Sequence, residues 1–234
     1  MAALIQRFPS VFLNHDTYER HYWTVRLLGP TIAGESVLDL GGERGLARFA
    51  KGLEVRDANI VGPDAVNDPG RAFGDKSFDY AVSIDTLEHM PKEARGEHLR
   101  QLMRVARKRV VFCAPIGQPL QNDFQRRLLE AGTMDDASLQ YVREHLDYGL
   151  PTPEEIESLL PGVAVDWYFS GNVKRYMVPG KPPESRAAQK AIMAVALFIN
   201  WLYNATWLYF KVGRKRRAVT NRFYGVIRDL RAED

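Results

Sequence analysis

One cysteine in 234 residues excludes an internal disulfide. Cys113 lies inside an apolar run, Arg109-Val110-Val111-Phe112-Cys113-Ala114-Pro115, where a lone thiol packs as a small hydrophobe. Such sparing thiol use fits a reducing cytoplasm. Residues 1–10 hold no long apolar stretch, so a cleaved secretory signal is not expected. Internal repeats are absent. Charge of one sign is not in large excess, at a net +3, but it is unevenly spread. Lys174 to Asp234 carries thirteen Lys and Arg against four Asp and Glu, which leaves the preceding residues net acidic. That asymmetry points the C-terminal part toward something anionic, such as a lipid headgroup, a phosphorylated carrier or nucleic acid; a solvated basic face is the alternative. Apolar content of 45% and charged content of 26% suit a globular chain with one α/β domain and an appendage.

What is present is a strand-turn-helix signal, Val37-Leu38-Asp39-Leu40-Gly41-Gly42-Glu43-Arg44-Gly45, with a helix start at Leu46-Ala47-Arg48-Phe49-Ala50. A buried strand entering a glycine turn brings bare backbone close to a nucleotide-like ligand. Glycine allows positive φ and has no Cβ to obstruct the approach. The spacing Gly-x-Gly-x-x-Gly is missing behind this strand, which argues against a dinucleotide-dependent oxidoreductase. Apolar periodicity predicts a leading helix over Asn14–Leu28, ended by Gly29-Pro30. Strands are predicted at Ser36–Leu40, Leu53–Arg56, Phe78–Ile84 and Arg109–Ala114, with a short segment near Asn59–Val61. Leu99, Leu102, Met103 and Val105 mark the helix between the last two of these strands. Thr152-Pro153-Glu154-Glu155 starts a helix that ends near Pro161-Gly162. Val163–Phe169 and Arg222–Arg228 read as an antiparallel pair that closes the sheet.

The glycine turn, then Lys76-Ser77-Phe78-Asp79-Tyr80-Ala81-Val82-Ser83-Ile84-Asp85-Thr86-Leu87-Glu88-His89, then the Arg109–Pro115 strand, together resemble the class I S-adenosylmethionine-dependent methyltransferases. The branch resembled carries a Leu-Glu-His motif after its fourth strand, and the likeness covers roughly residues 35–117. It implies a Rossmann-like, doubly wound, mostly parallel α/β sheet with an antiparallel C-terminal strand, here with a helical insertion. It also implies S-adenosyl-L-methionine as cofactor. Gly41 and Gly45 would then approach its methionyl part, and Asp39 would orient the loop or the amino group. The ribose acceptor falls to Asp57 or Asn59, and both remain open. Asp64-Ala65 resembles the acidic-plus-small pair that meets adenine. Glu43 departs from the family, which usually has glycine there, and projects a carboxylate from the loop.

Asp85-x-x-Glu88-His89 follows the strand where an open sheet places its ligand crevice. Three readings stand: Asp85, Glu88 and His89 shape the cofactor pocket, His89 is a general base, or the O and N donors ligate a divalent metal. The first is expected, with no metal. His145 is a second candidate base. It lies in Arg143-Glu144-His145-Leu146-Asp147-Tyr148-Gly149-Leu150-Pro151, which is similar to a stretch before the last helix in bacterial methyltransferases of surface-glycan pathways. The expected activity is O-methylation of a small-molecule, glycan or lipid-linked acceptor. A non-catalytic methyltransferase-like binding protein and a nucleic-acid methyltransferase are the alternatives. No Asn/Asp-Pro-Pro-aromatic motif is present to hold a flipped base, which disfavours nucleic acid.

Residues 187–212 run from an apolar stretch, Ile192–Ile199, into Asn200, Trp201, Tyr203, Asn204, Trp207 and Tyr209, with Arg214-Lys215-Arg216-Arg217 behind. An interfacial helix on an anionic membrane over 187–217, a helical hairpin packed on its own domain or on a dimer partner, and a true span all stay open. The organisation expected is a helical lead-in (1–34), a methyltransferase domain (35–175), a helical insertion (176–220) and a last strand with tail (221–234). The location expected is cytoplasmic, with peripheral contact on the inner membrane face.

Overall fold

The computed structural model describes residues 13–42, 45–58, 72–131, 135–175 and 212–228, together with 185, 191, 194–195, 198–199, 201–202, 204 and 230. Glu43, Asn59, Asp64, Ala65 and most of 187–211 lie outside the described residues.

Helix α1 (His15–Leu27) is capped by Asn14, whose side chain accepts from the Asp16 amide. Strands β1 (Ser36–Leu40), β2 (Glu54–Ala58) and β3 (Phe78–Ile84) follow. Helix α2 (Lys92–Val105) leads directly into β4 (Ala106–Pro115). Next come α3 (Pro119–Ala131), α4 (Asp136–Asp147) and α5 (Pro153–Leu159). Strands β5 (Val165–Ser170) and β6 (Arg222–Ile227) complete the sheet. The predicted β1 and β3 coincide with the observed ones, and α5 has Thr152 as its cap with Pro153 at the first position. Behind the glycine turn the expected helix is only a 3-10 turn, Leu46–Arg48. β4 begins three residues earlier than predicted and β2 one residue later.

The sheet order is β2-β1-β3-β4-β6-β5. β1, β2, β3 and β4 are mutually parallel where they pair, and β6 runs antiparallel to both β4 and β5. This is the doubly wound, mostly parallel architecture expected. Its inner parallel strands β1, β3 and β4 are largely buried on both faces and so read as near-continuous apolar runs, whereas β2 is a half-exposed edge. Leu38, Leu40, Val110 and Phe112 pack on one face with Leu99, Leu102 and Val105 of α2 and Ile156 of α5. Val37, Val82, Val111 and Cys113 turn to the other face, against Leu28 and the partly buried Trp23 and Val25. Cys113 is fully buried, as its place in the apolar run predicts.

The carboxylate of the Phe-Asp motif serves this sheet. Asp79 accepts from the Ser36 amide at 3.0 Å and from its hydroxyl at 3.1 Å, which aligns β3 with β1 at the edge opposite the glycine turn. Among the described residues no helix is long and apolar enough to cross a membrane.

Candidate active site

Four strand ends converge where β1, β2, β3 and β4 finish. Gly41 closes β1 with φ +87°, a left-handed conformation that glycine adopts without strain. A Cβ at this position would lie 2.5 Å from Thr86 Oγ1, so the turn after β1 touches the turn after β3. The Gly41 amide donates to Ala58 O at 2.8 Å and ties in the end of β2. At Gly45 a Cβ would collide with His21 Nε2. Packing against Thr86 and His21 therefore requires glycine at both positions.

Asp39 lies within β1 immediately before this turn and is fully buried. Neither of its carboxylate oxygens has a hydrogen-bond partner among the described residues. Burial, followed by the nearby Asp57 carboxylate, pushes its pKa up to about 7. Asp57 is its register partner on parallel β2, so both side chains leave the same face of the sheet. A buried acid without an ion-pair or hydrogen-bond partner, offset only in part by the Arg20 charge, is costly. Here it stands beside a turn stripped of side chains.

Asp85 follows β3 in the left-handed region, at φ +50°, which is sparsely populated by residues other than glycine. Its amide donates to Cys113 O at 3.0 Å. Its carboxylate accepts from Arg20 Nη1 at 2.5 Å and also from Arg222. Arg222, almost wholly buried, reaches both oxygens of Asp16 at 3.2 Å. The Asp85 side chain is thus committed to two guanidiniums that join α1, β3 and β6.

The Leu87–His89 turn points its polar groups at α4. His89 Nδ1 lies 2.8 Å from Glu144 Oε2, and His89 Nε2 lies 3.4 Å from His145 Nε2. His145 Nδ1 faces Gln125 Oε1 of α3 at 3.3 Å, and the Tyr141 ring packs edge-on to His89. Burial and the neighbouring His89 take the pKa of His145 down to about 3. Glu88 is fully buried, and desolvation raises its carboxyl to about 8.

Arg95 of α2 fixes this assembly. It donates to Leu87 O at 2.8 Å and to Tyr148 O at 3.3 Å, accompanies these with a bond to Gly149 O, and pairs with Glu155 at 2.5 Å. One buried guanidinium therefore holds the Leu-Glu-His turn, the end of α4 and the start of α5 in register.

The structure brings Asp39, Gly41, Asp57 and Gly45 together at one edge, and Glu88, His89 and His145 into a second group. Asn59, Asp64 and Ala65 lie outside the described residues. Sequence reasoning missed Arg20, Arg95, Gln125, Glu144 and Arg222. Each reads locally as a surface residue of a helix or strand, and only Glu144, adjacent to His145, carried any signal. A separate cleft of about 420 Å³, lined by Gln118, Pro119, Leu120, Arg216, Arg217 and Ala218, opens at the head of α3.

No protein-family model matches this chain, and no curated protein matches its sequence. Solved structures do match. The plantazolicin methyltransferase BamL, in complex with a triazolic desmethylPZN analogue and SAH, aligns over 97% of this chain and 88% of its own, at 11% identity and a TM-score of 0.53. The chain has a methyltransferase fold. Phosphoethanolamine N-methyltransferase 2 of Haemonchus contortus, in complex with S-adenosyl-L-methionine, aligns over 89% of this chain at 17% identity and a TM-score of 0.49. The chain spans about half, 51%, of that enzyme's length. Magnesium protoporphyrin IX methyltransferase from Synechocystis, with bound SAH, aligns over 92% of this chain at 13% identity and a TM-score of 0.48. At 11% identity the likeness to BamL speaks for fold, and the chemistry rests on the site.

Proposed function

We propose that the protein is an S-adenosylmethionine-dependent methyltransferase acting on a small-molecule, glycan or lipid-linked acceptor. The observation that carries this reading is Asp39, a buried acid without a partner beside the glycine turn, at the ligand edge of a mostly parallel sheet. A cationic amino group is the natural complement of that carboxylate. When bound, the cofactor supplies a methyl on a sulfonium, so transfer requires in-line alignment with the acceptor and, for a hydroxyl, removal of its proton.

In this reading Gly41 and Gly45 let backbone approach the methionyl part, and Asp39 holds the amino group. Asp57, or Asn59 two residues on, accepts from the ribose hydroxyls, and Asp64 with Ala65 receives the adenine. Asp85, fixed by Arg20 and Arg222, shapes the pocket floor rather than offering a free carboxylate. His89 and His145 stand on the acceptor side. His89, oriented from behind by Glu144, is the better equipped to take the hydroxyl proton as the methyl–oxygen bond forms and the methyl–sulfur bond breaks.

A membrane-proximal acceptor is favoured by a second observation. Helical residues Val195, Phe198, Ile199 and Leu202 recur at the spacing of one helix face, and all four are exposed. Asn204 turns inward, where it bonds His15 and Leu13 O. Arg214 and Arg216 are paired with Asp166 and Glu154, so Lys215 and Arg217 are the charges of this run that, beside the apolar stripe, suit an anionic membrane surface. Calorimetric titration with S-adenosylmethionine and S-adenosylhomocysteine tests the central claim. One site of micromolar-scale affinity is expected, and no heat with either ligand, together with no thermal shift, refutes it.

A further inference from the structure

Both imidazoles of the acceptor side are gripped from behind. The Glu144 carboxylate can only accept, so His89 Nδ1 carries the proton at their 2.8 Å contact. Gln125 Oε1 likewise accepts from His145 Nδ1. In the neutral rings both Nε2 atoms are then left with bare lone pairs, and these face each other at 3.4 Å. Glu88 completes the group: its Oε2 is buried without a hydrogen-bond partner. One ligand atom from each of Glu88, His89 and His145 lies within 4.8 Å of the others. Two imidazole lone pairs and one buried carboxyl thus converge, three groups that become electron-pair donors once the Glu88 proton leaves.

A cation resolves that arrangement, and the geometry says which kind. With metal–nitrogen bonds of about 2.0–2.1 Å, the edge of a tetrahedral site is about 3.4 Å, which is the separation of the two Nε2 atoms. Two imidazoles and one carboxylate suit zinc and its transition-metal neighbours, whereas magnesium and calcium prefer all-oxygen shells. Glu144 and Gln125 already act as the outer partners that fix ligand tautomer and ring orientation. Asp85 of the Asp-x-x-Glu-His motif is not part of the group, because Arg20 and Arg222 hold it. His145, from a helix 56 residues away in sequence, takes the third place.

We propose that Glu88, His89 and His145 bind one divalent transition-metal ion, with a fourth position open to the crevice. Metal binding stands apart from the methyl-transfer reading. The use of the open position, to lower the pKa of an acceptor hydroxyl so that its proton passes to solvent water rather than to His89, rests on it.

The test uses full-length protein stripped with a chelator, dialysed, and titrated with Zn²⁺, Co²⁺ and Mg²⁺ in the absence of cofactor. One zinc per chain is expected, with visible cobalt bands of a low-coordinate nitrogen–oxygen site and no comparable magnesium binding. His145→Ala and Glu88→Gln should abolish the cobalt bands. Glu144→Gln, which keeps the ligands, should weaken zinc about 10–100-fold. Circular dichroism checks that each variant is folded. Absence of both zinc heat and cobalt bands in the wild type overturns the proposal, as does zinc binding that survives in a folded His145→Ala and Glu88→Gln pair. Cofactor titration of the stripped protein tells the two failures apart: binding there with no metal uptake leaves the methyltransferase reading standing alone.

Discussion

Replacing Asp39 with asparagine should stabilise the ligand-free protein at pH 8 and leave its stability nearly unchanged at pH 4. The folded-state pKa, about 7, lies above the ordinary 3.8. Between these values the folded protein keeps a proton that the unfolded chain has released, so stability falls as pH rises through that window. Above pH 7 the buried charge exacts its whole cost. Each pH unit is worth about 1.4 kcal/mol, so the penalty at pH 8 approaches roughly 4 kcal/mol. Asparagine removes the charge at similar volume and should recover much of that. At pH 4 the acid is already protonated in the folded state, and the exchange is close to neutral. Urea melts at the two pH values measure the difference. The same variant should bind S-adenosylmethionine more weakly by about 1.5–3 kcal/mol, the worth of a hydrogen bond to a charged group. Wild-type binding near pH 6 should release a proton and so show a buffer-dependent heat. Equal stability shifts at pH 4 and pH 8, or a variant less stable at pH 8, would refute the picture of an uncompensated buried carboxylate.

Three further outcomes are expected. Gly41→Val should abolish cofactor binding, because its Cβ would fall 2.5 Å from Thr86 Oγ1; Gly34→Ala, with the same φ of +87° but open space around it, should cost only about 1–2 kcal/mol of backbone strain and leave binding intact. Arg95→Met strands the Leu87, Tyr148 and Gly149 carbonyls and one partner carboxylate, so the urea-derived stability should drop by about 3–5 kcal/mol; a loss below about 1 kcal/mol would mean that other contacts hold the Leu-Glu-His turn. Phe198→Asp should reduce co-sedimentation with anionic vesicles at low salt without lowering cofactor affinity, and wild-type protein that ignores such vesicles would remove the membrane contact.

Local chemistry determined much of this protein. Alternation-free apolar runs set β1 and β3, a threonine cap with proline behind it set the start of α5, and Gly41 announced the turn, because strands, caps and turns are decided by residues a few positions apart. The apolar run around Cys113 likewise marked a buried core strand. Asp39, Gly41 and Asp57, the last alongside Asn59, were legible as candidate site residues through the methyltransferase resemblance, and the pairing of β1 with β2 sets Asp39 beside Asp57. What the sequence did not determine is how charged side chains pair across the molecule. Asp85 reads as a free carboxylate until Arg222, 137 residues later, closes on it from β6. His145 is one helical histidine among several until α4 lays it against His89. Arg95 sits in a charged helix, and nothing near it in the chain says that it will be buried whole with four partners. Such contacts depend on where whole helices dock against the sheet, and a docking angle is set by packing between elements rather than by the periodicity within any one of them.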